Sequence, residues 1–179
     1  SYTVRQIFKT AAEKQRKFTV IITESAPARN SQLMASYLTS LGIPCKIIAD
    51  SAVGYYINQV DLVLVGAEAV VESGGVINQV GTYQISITAK VLSIPFYVAT
   101  ESFKMTRLYP LSQSDVSIQQ LVIQSDRQIP TTPTTGKDNV ESPDLDYTPP
   151  ANITFLFTDL GILTPSAVSD ELIKLYEEM

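Results

Sequence analysis

The chain has 179 residues, 45% of them hydrophobic and 17% charged, with a formal net charge of -5, ten prolines, one cysteine and no histidine. Without histidine there is no Ser-His-Asp triad, Cys-His dyad, imidazole base or His-containing zinc site, and Cys45 alone makes neither an intrachain disulfide nor a four-cysteine centre, so no metal is expected. An acidic balance argues against nucleic acid as a partner, the absence of an apolar run of roughly 18 to 20 residues argues against a membrane span, and the lone thiol fits a cytoplasmic address.

In chain order, Val4, Ile7, Phe8 and Ala11 follow helical spacing with lysines opposite. A helix opening on the first residues, with Ser1 in place of a methionine, leads us to expect further structure upstream. Phe18–Thr23 reads as a buried strand, and Leu33, Met34, Tyr37, Leu38 and Leu41 as one face of a helix closed by Gly42. A second strand, 45–49, enters through Pro44, and a short helix covers 51–58. Residues 61–66 form an almost continuous apolar run, the mark of a strand covered on both faces in a parallel sheet. A small-residue loop, Ser73-Gly74-Gly75, leads to a helix from about Thr82 to Ser93 and a strand over 95–99.

Residues 125–150 hold five of the ten prolines and five threonines with few large apolar side chains, so they are expected to be a loop or partly disordered arm. A strand over 153–158 and a helix from Ser166 to about Glu177, with Pro165 in its first turn, return the chain to the sheet. This alternation predicts a single α/β domain over 1–179: a doubly wound, mostly parallel, Rossmann-like sheet with helices on both faces.

The stretch from Gly66-Ala67-Glu68 to Gly81-Thr82 carries the clearest chemical signal. It places a carboxylate beyond the end of a buried strand, then small residues whose amides can face an anion, then a helix start. A phosphorylated small molecule is the matching ligand, with no other cofactor, and Glu68, Gly74, Gly75, Asn78, Gln79, Gly81 and Thr82 are the candidate contacts. Two plainer alternatives stand beside this: Gly74-Gly75 only makes a tight turn, and Glu68 is a structural carboxylate satisfied by loop amides. Cys45, inside a strand after Pro44, reads as a structural thiol. Phe155, Phe157, Leu160, Ile162 and Leu163 exceed the apolar needs of a small terminal hairpin, which makes them interface candidates.

These residues resemble a known family. The 66–82 block, Phe96-Tyr97-Val98-Ala99 and Asp146-Tyr147-Thr148-Pro149 are similar to the family joining the α, β and δ subunits of eukaryotic translation initiation factor 2B with sugar-phosphate isomerases such as methylthioribose-1-phosphate isomerase. Ala52-Val53-Gly54-Tyr55, Glu101-Ser102-Phe103-Lys104 and the run from Leu156 to Ile173 resemble its α branch in particular. The resemblance spans essentially the whole chain and lacks only the family's amino-terminal helical domain and the first strand and loop of its sheet domain.

It implies a regulatory subunit of the nucleotide-exchange factor for initiation factor 2. Its expected partners are a second copy of itself, the other initiation factor 2B subunits and the phosphorylated α subunit of initiation factor 2. The isomerase branch is the alternative. There the resemblance implies a catalytic aspartate where this chain has Glu68, a phosphate-holding arginine where Glu24-Ser25-Ala26-Pro27 has Ala26, and a lysine where Asn78-Gln79-Val80-Gly81-Thr82 has Gln79. An extra methylene displaces the carboxylate, and two lost cations weaken the hold on a phosphate dianion. On these grounds no catalytic residue is assigned and the chain is expected not to be an enzyme.

Overall fold

A computed structural model describes residues 1–25, 30–116 and 143–177. Helix α1 (Tyr2–Glu13) buries Val4, and its first turn is capped by the Ser1 hydroxyl, which accepts from the Val4 amide at 3.5 Å. Strand β1 (Val20–Thr23), helix α2 (Asn30–Ser40) and strand β2 (Cys45–Ile48) form a strand-helix-strand unit, with β1 and β2 parallel and Val20 opposite Cys45. Gly42, at φ +73°, ends α2 while the Ile43 amide returns to the Leu38 carbonyl at 3.0 Å, a glycine stop of the kind the sequence predicts.

The second sheet has strand order β10-β9-β6-β3, built from β3 (Val63–Val65), β6 (Phe96–Ala99), β9 (Phe155–Thr158) and β10 (Gly161–Leu163). β3, β6 and β9 run parallel, and β10 turns back as an antiparallel hairpin. Val65, Val98, Leu156 and Leu163 share one face through this register and pack into the main core, in which Val98 and Leu156 are fully buried. Strand β3 is shorter and only half-buried, and Asp61 and Leu62 are exposed, so the expected both-face burial of 61–66 does not occur.

The third sheet has order β7-β4-β5-β8: β4 (Ala69–Val71), β5 (Val76–Gln79), β7 (Met105–Thr106) and β8 (Leu145–Thr148). β4–β5 and β5–β8 are antiparallel, β4–β7 parallel. The chain is thus α/β, but three sheets, one parallel and two of mixed pairing, replace one mostly parallel sheet. The physical reason is loop length: the 72–75 turn and the β9–β10 turn are too short for a helical crossover and force antiparallel pairing. The 72–81 stretch, expected as a loop running to a helix, contains strand β5. Of the expected 125–150 arm, residues 125–142 lie outside the described residues, and Leu145–Thr148 is β8. Helix α4 (Thr82–Val91) follows β5, a single α turn (Val53–Tyr56) called α3 follows β2, and helix α5 (Val168–Glu177) closes the chain after Pro165 opens a 3-10 turn.

Candidate functional site

A crevice opens beyond the carboxyl ends of β1 and β3, the place where open α/β sheets receive ligands. Its narrow arm, about 180 Å³, runs between Ser25, Asp50, Leu64, Asn78, Gly81 and Thr82. A wider mouth of about 1010 Å³ shares Ser25, Gly66, Asn78 and Gln79 with it and adds Arg5, Glu68 and Lys104. The arm alone is below the ~300–1,000 Å³ of small-ligand pockets, and with the mouth the crevice reaches that size.

Five of the seven predicted ligand contacts, Glu68, Asn78, Gln79, Gly81 and Thr82, line this crevice. Gly74 and Gly75 do not. They sit in the β4–β5 hairpin turn, where the Gly74 amide donates to the Val71 carbonyl at 2.8 Å. Gly74 has φ +84°, and a Cβ there would lie 2.0 Å from the Pro165 carbonyl oxygen; one on Gly75 would lie 2.6 Å from the Tyr147 ring. Both glycines therefore serve a tight turn and close packing. Ala26 lies outside the described residues.

Glu68 is exposed at the mouth, and no hydrogen bond engages its carboxylate among the described residues, so loop amides do not satisfy it. Its backbone amide donates to the Ile77 carbonyl at 2.9 Å, fixing the Cα at the head of β4. Beside it, the Lys104 ammonium donates to the Ala67 carbonyl at 2.9 Å and pairs with Glu101 at 3.1 Å. Burial pushes the Glu101 carboxyl up, but hydrogen bonds from the Thr3 hydroxyl and Lys104 outweigh it and hold the group below its usual range. Among the described residues, Lys104 and Arg5 are the cationic side chains lining the mouth, with Lys104 compensated by Glu101.

Gln79 accepts a hydrogen bond from the Ser25 hydroxyl at 3.3 Å, and the Ser25 amide donates to Asp50 at 3.0 Å. This contact joins the end of β1 to the end of β5 across the narrow arm. Asn78 donates to the Thr82 hydroxyl at 3.1 Å, which donates to the Gln79 carbonyl at 2.7 Å.

The amino terminus of α4 differs from expectation. The Gly81 and Tyr83 amides, which the sequence offers to a phosphate, donate instead to one carboxylate oxygen of Asp146 on β8, at 2.7 and 3.0 Å. A resident anion therefore occupies that helix end, and a ligand phosphate is left with Arg5, Lys104 and side-chain donors. Burial pushes the Asp146 carboxyl up to about 6 against those two amide bonds. Sequence reasoning missed Asp146, Arg5 and Lys104 as site residues. A charge alternating with apolar neighbours in Leu145-Asp146-Tyr147-Thr148 was the available signal for the first; the other two reach the crevice only through tertiary packing. Among the described residues, no group of three acidic, cysteine or histidine side chains is placed to hold a metal ion.

The interface candidates divide. Phe155, Phe157 and Ile162 lie on the face of the β10-β9-β6-β3 sheet opposite the core, with the Tyr97 ring 6.3 Å from Phe155 and 5.2 Å from Phe157. Phe155, Leu160 and Ile162 are exposed, at 38%, 43% and 66%. Leu163 packs against the core instead.

Comparison with known proteins adds the following. The pattern of the Initiation factor 2 subunit family matches residues 1–165. The chain is 52% identical over 93% of its length to "Translation initiation factor eIF2B subunit alpha" of Dictyostelium discoideum, covering 53% of that protein. It is 34% identical over 89% of its length to "Ribose 1,5-bisphosphate isomerase" of Archaeoglobus fulgidus, covering 50% of it. The crystal structure of 5-methylthioribose 1-phosphate isomerase from Pyrococcus horikoshii OT3 superposes with a TM-score of 0.78 at 25% identity, over 99% of this chain and 50% of that one. The chain thus spans about half the length of the relatives it matches. The likeness to isomerases conflicts with the expectation that this chain is not an enzyme, and that expectation is withdrawn. With the pattern matched over residues 1–165 and relatives this similar, the chain belongs to the Initiation factor 2 subunit family.

Proposed function

We propose that this chain is the sheet domain of an α-type regulatory subunit of initiation factor 2B, acting in the cytoplasm within the exchange factor for initiation factor 2. The observation that carries this is the 52% identity to the Dictyostelium α subunit over 93% of the chain. On this reading residues 1–179 make one domain, and the apolar sheet face with Phe155, Phe157, Leu160 and Ile162 pairs two copies. Such a symmetric pair joins two sets of the other subunits and helps sense the phosphorylated α subunit of initiation factor 2. The crevice holds a phosphorylated sugar, with Glu68, Asn78, Gln79 and Thr82 as contacts, Gly81 shaping the wall between them, and Arg5 and Lys104 as the cations. The test is co-purification of the tagged chain with the other initiation factor 2B subunits. Stoichiometric recovery is expected, and recovery of the chain alone overturns the assignment.

A second reading is favoured by the exposed Glu68 in the crevice together with the 34% identity to a ribose 1,5-bisphosphate isomerase. It is aldose-ketose isomerisation of a sugar phosphate, with the Glu68 carboxylate moving the proton. NMR of ribose 1,5-bisphosphate incubated with the chain, and with a longer form carrying the upstream region, checks it. Appearance of the ketose, lost in Glu68→Gln, is the expected result; an unchanged aldose overturns it.

A further inference from the structure

The crevice wall formed by the end of β5 and the start of α4 is held from behind by β8. Val80 donates its amide to the Asp144 carbonyl at 3.0 Å, and the Gly81 and Tyr83 amides both reach Asp146 Oδ2. Asn78 is the register partner of Asp146, so one β8 segment grips four consecutive positions of the wall from Asn78 to Gly81, together with Tyr83. Of these, Asn78, Gln79, Val80, Gly81 and Thr82 line the narrow arm, whereas Asp146 does not line it.

Gly81 has φ +101°, a backbone state with little intrinsic preference, and a Cβ at this position would meet nothing within 4 Å. Its conformation is therefore held not by packing around the α-carbon but by hydrogen bonds, from its amide to Asp146 and from the Ile85 amide to its carbonyl at 3.0 Å, of which only the first comes from outside the wall. Asp146 is 8% exposed, and its second oxygen, Oδ1, is buried without a hydrogen-bond partner. Burying a carboxylate with half its capacity unused is costly, and a stabilising cap alone would be better served by a solvated residue. The residue is placed where it is because the acceptor must come from β8, behind the wall.

We infer that Asp146 is a positioning residue for the crevice: its Oδ2 fixes the Gly81–Tyr83 turn, and through it the Asn78–Thr82 hydrogen-bond chain that faces the ligand. The inference rests on the crevice being the sugar-phosphate site proposed above. Asp146 touches no ligand. It acts by holding two amides, and Asn78 and Thr82 present their polar groups from the turn those amides define.

The test uses this chain with ribose 1,5-bisphosphate as probe, followed by titration calorimetry, and amide hydrogen exchange resolved at Gly81 and Tyr83. Asp146→Ala removes the acceptor; exchange at both amides is expected to speed at least about tenfold and probe affinity to fall about tenfold. Asp146→Asn keeps an oxygen in the Oδ2 place, and both protection and affinity are expected to return to within about threefold of the parent. A structural cap without influence on the site would leave affinity within about twofold in Asp146→Ala despite faster exchange, and that result overturns the inference while leaving the crevice assignment intact. Asn behaving as poorly as Ala in both readouts also overturns it, since charge and not the acceptor would then be at work. If the parent chain binds no probe, the crevice assignment falls, and the inference with it. Should Asp146→Ala not fold, Gly81→Ala strains the same turn from the other side, and parent-like affinity in that variant overturns the inference.

Discussion

The β10-β9-β6-β3 sheet and the β7-β4-β5-β8 sheet are both four-stranded and both bury apolar strands, with Val70, Val71, Val76 and Ile77 excluded from water in the second, yet they meet their neighbours differently. The first is an apolar slab: Val98, Leu156 and Phe96 are almost fully excluded from water on its core face, and its other face carries Tyr97, Phe155, Phe157 and Ile162. The second meets α4 through polar groups. The residues that α4 buries are Thr82, Ser86 and Ala89, and Asp146, Asn78, Thr148 and Asn152 complete the seam, with Asn152 donating to the Ser86 hydroxyl at 3.0 Å. Apolar packing tolerates exchange of side chains of like volume, while a polar seam depends on individual donors and acceptors being in place. The ligand crevice borders the seam, and the candidate docking face belongs to the slab.

The comparison is broken most forcefully from the slab. Leu156→Ala removes a side chain at 0% exposure from the centre of the core and is expected to cost about 3–4 kcal/mol in urea unfolding, with little collapse possible between flanking strands. Next comes the turn that ties the second sheet to the rest. Gly74→Ala introduces a Cβ at φ +84° against the Pro165 carbonyl, which is backbone and cannot swing away, and a loss of about 2–3 kcal/mol is expected in the same measurement. A loss under about 0.5 kcal/mol would show that the hairpin and the Pro165 turn are not packed together as described.

The outward face of the slab gives the third test. Phe157→Asp puts a charge among Tyr97, Phe155 and Ile162 without emptying the core, because Phe157 faces away from Leu156 and Val98. Analytical ultracentrifugation is expected to show self-association weakened at least about tenfold, about 1.4 kcal/mol. Unchanged self-association would remove the slab as the docking face and leave its exposed aromatic cluster without a partner.

The two sheets also differ in how far they can be read from residues alone. Slab strands β3, β6 and β9 are visible as apolar runs and helix α2 by 3.6-residue spacing, and Phe96, Val98 and Leu156 in the slab and Leu38 in α2 fall where those patterns place them. The β4–β5 hairpin is not visible in this way. Val76–Gln79 is four residues long, ends in Asn78-Gln79 and follows two glycines, so local chemistry argues for a loop, while pairing with β4 and with the distant β8 makes it a strand. The crevice lining from Glu68 and from Asn78 to Thr82 is legible because it clusters in sequence. Asp146 stands 65 residues from the Gly81 amide it holds, and only register across β5 brings the two together. Leu163 is misplaced as an interface candidate for a related reason: pairing with Leu156 across the hairpin decides which face it takes.

The last test separates the sheets most cleanly, because it appears as a slope against pH and not as a single loss. Burial raises the Asp146 carboxyl from 3.8 to about 6 in the folded chain, despite the Tyr83 and Gly81 amides. The folded state therefore binds more protons than the unfolded state between those values, so the contribution of this group to stability is fullest below the unfolded pKa and falls as pH rises through the folded one. Asp159, held low by the Ser102 hydroxyl and amide beside the slab hairpin, has the opposite sign and loses its contribution as pH falls. A melting profile of the parent alone mixes the two. The difference between Asp146→Asn and the parent isolates the seam, since Asn keeps an acceptor for both amides and carries no charge at any pH. That difference in Tm is expected to move in favour of the variant from about pH 4 to about pH 6.5 and then to level off. A difference that stays constant over this range would mean that Asp146 is solvated, that its pKa is ordinary, and that the seam gains its order from the amide bonds without the burial that sets it apart from the slab.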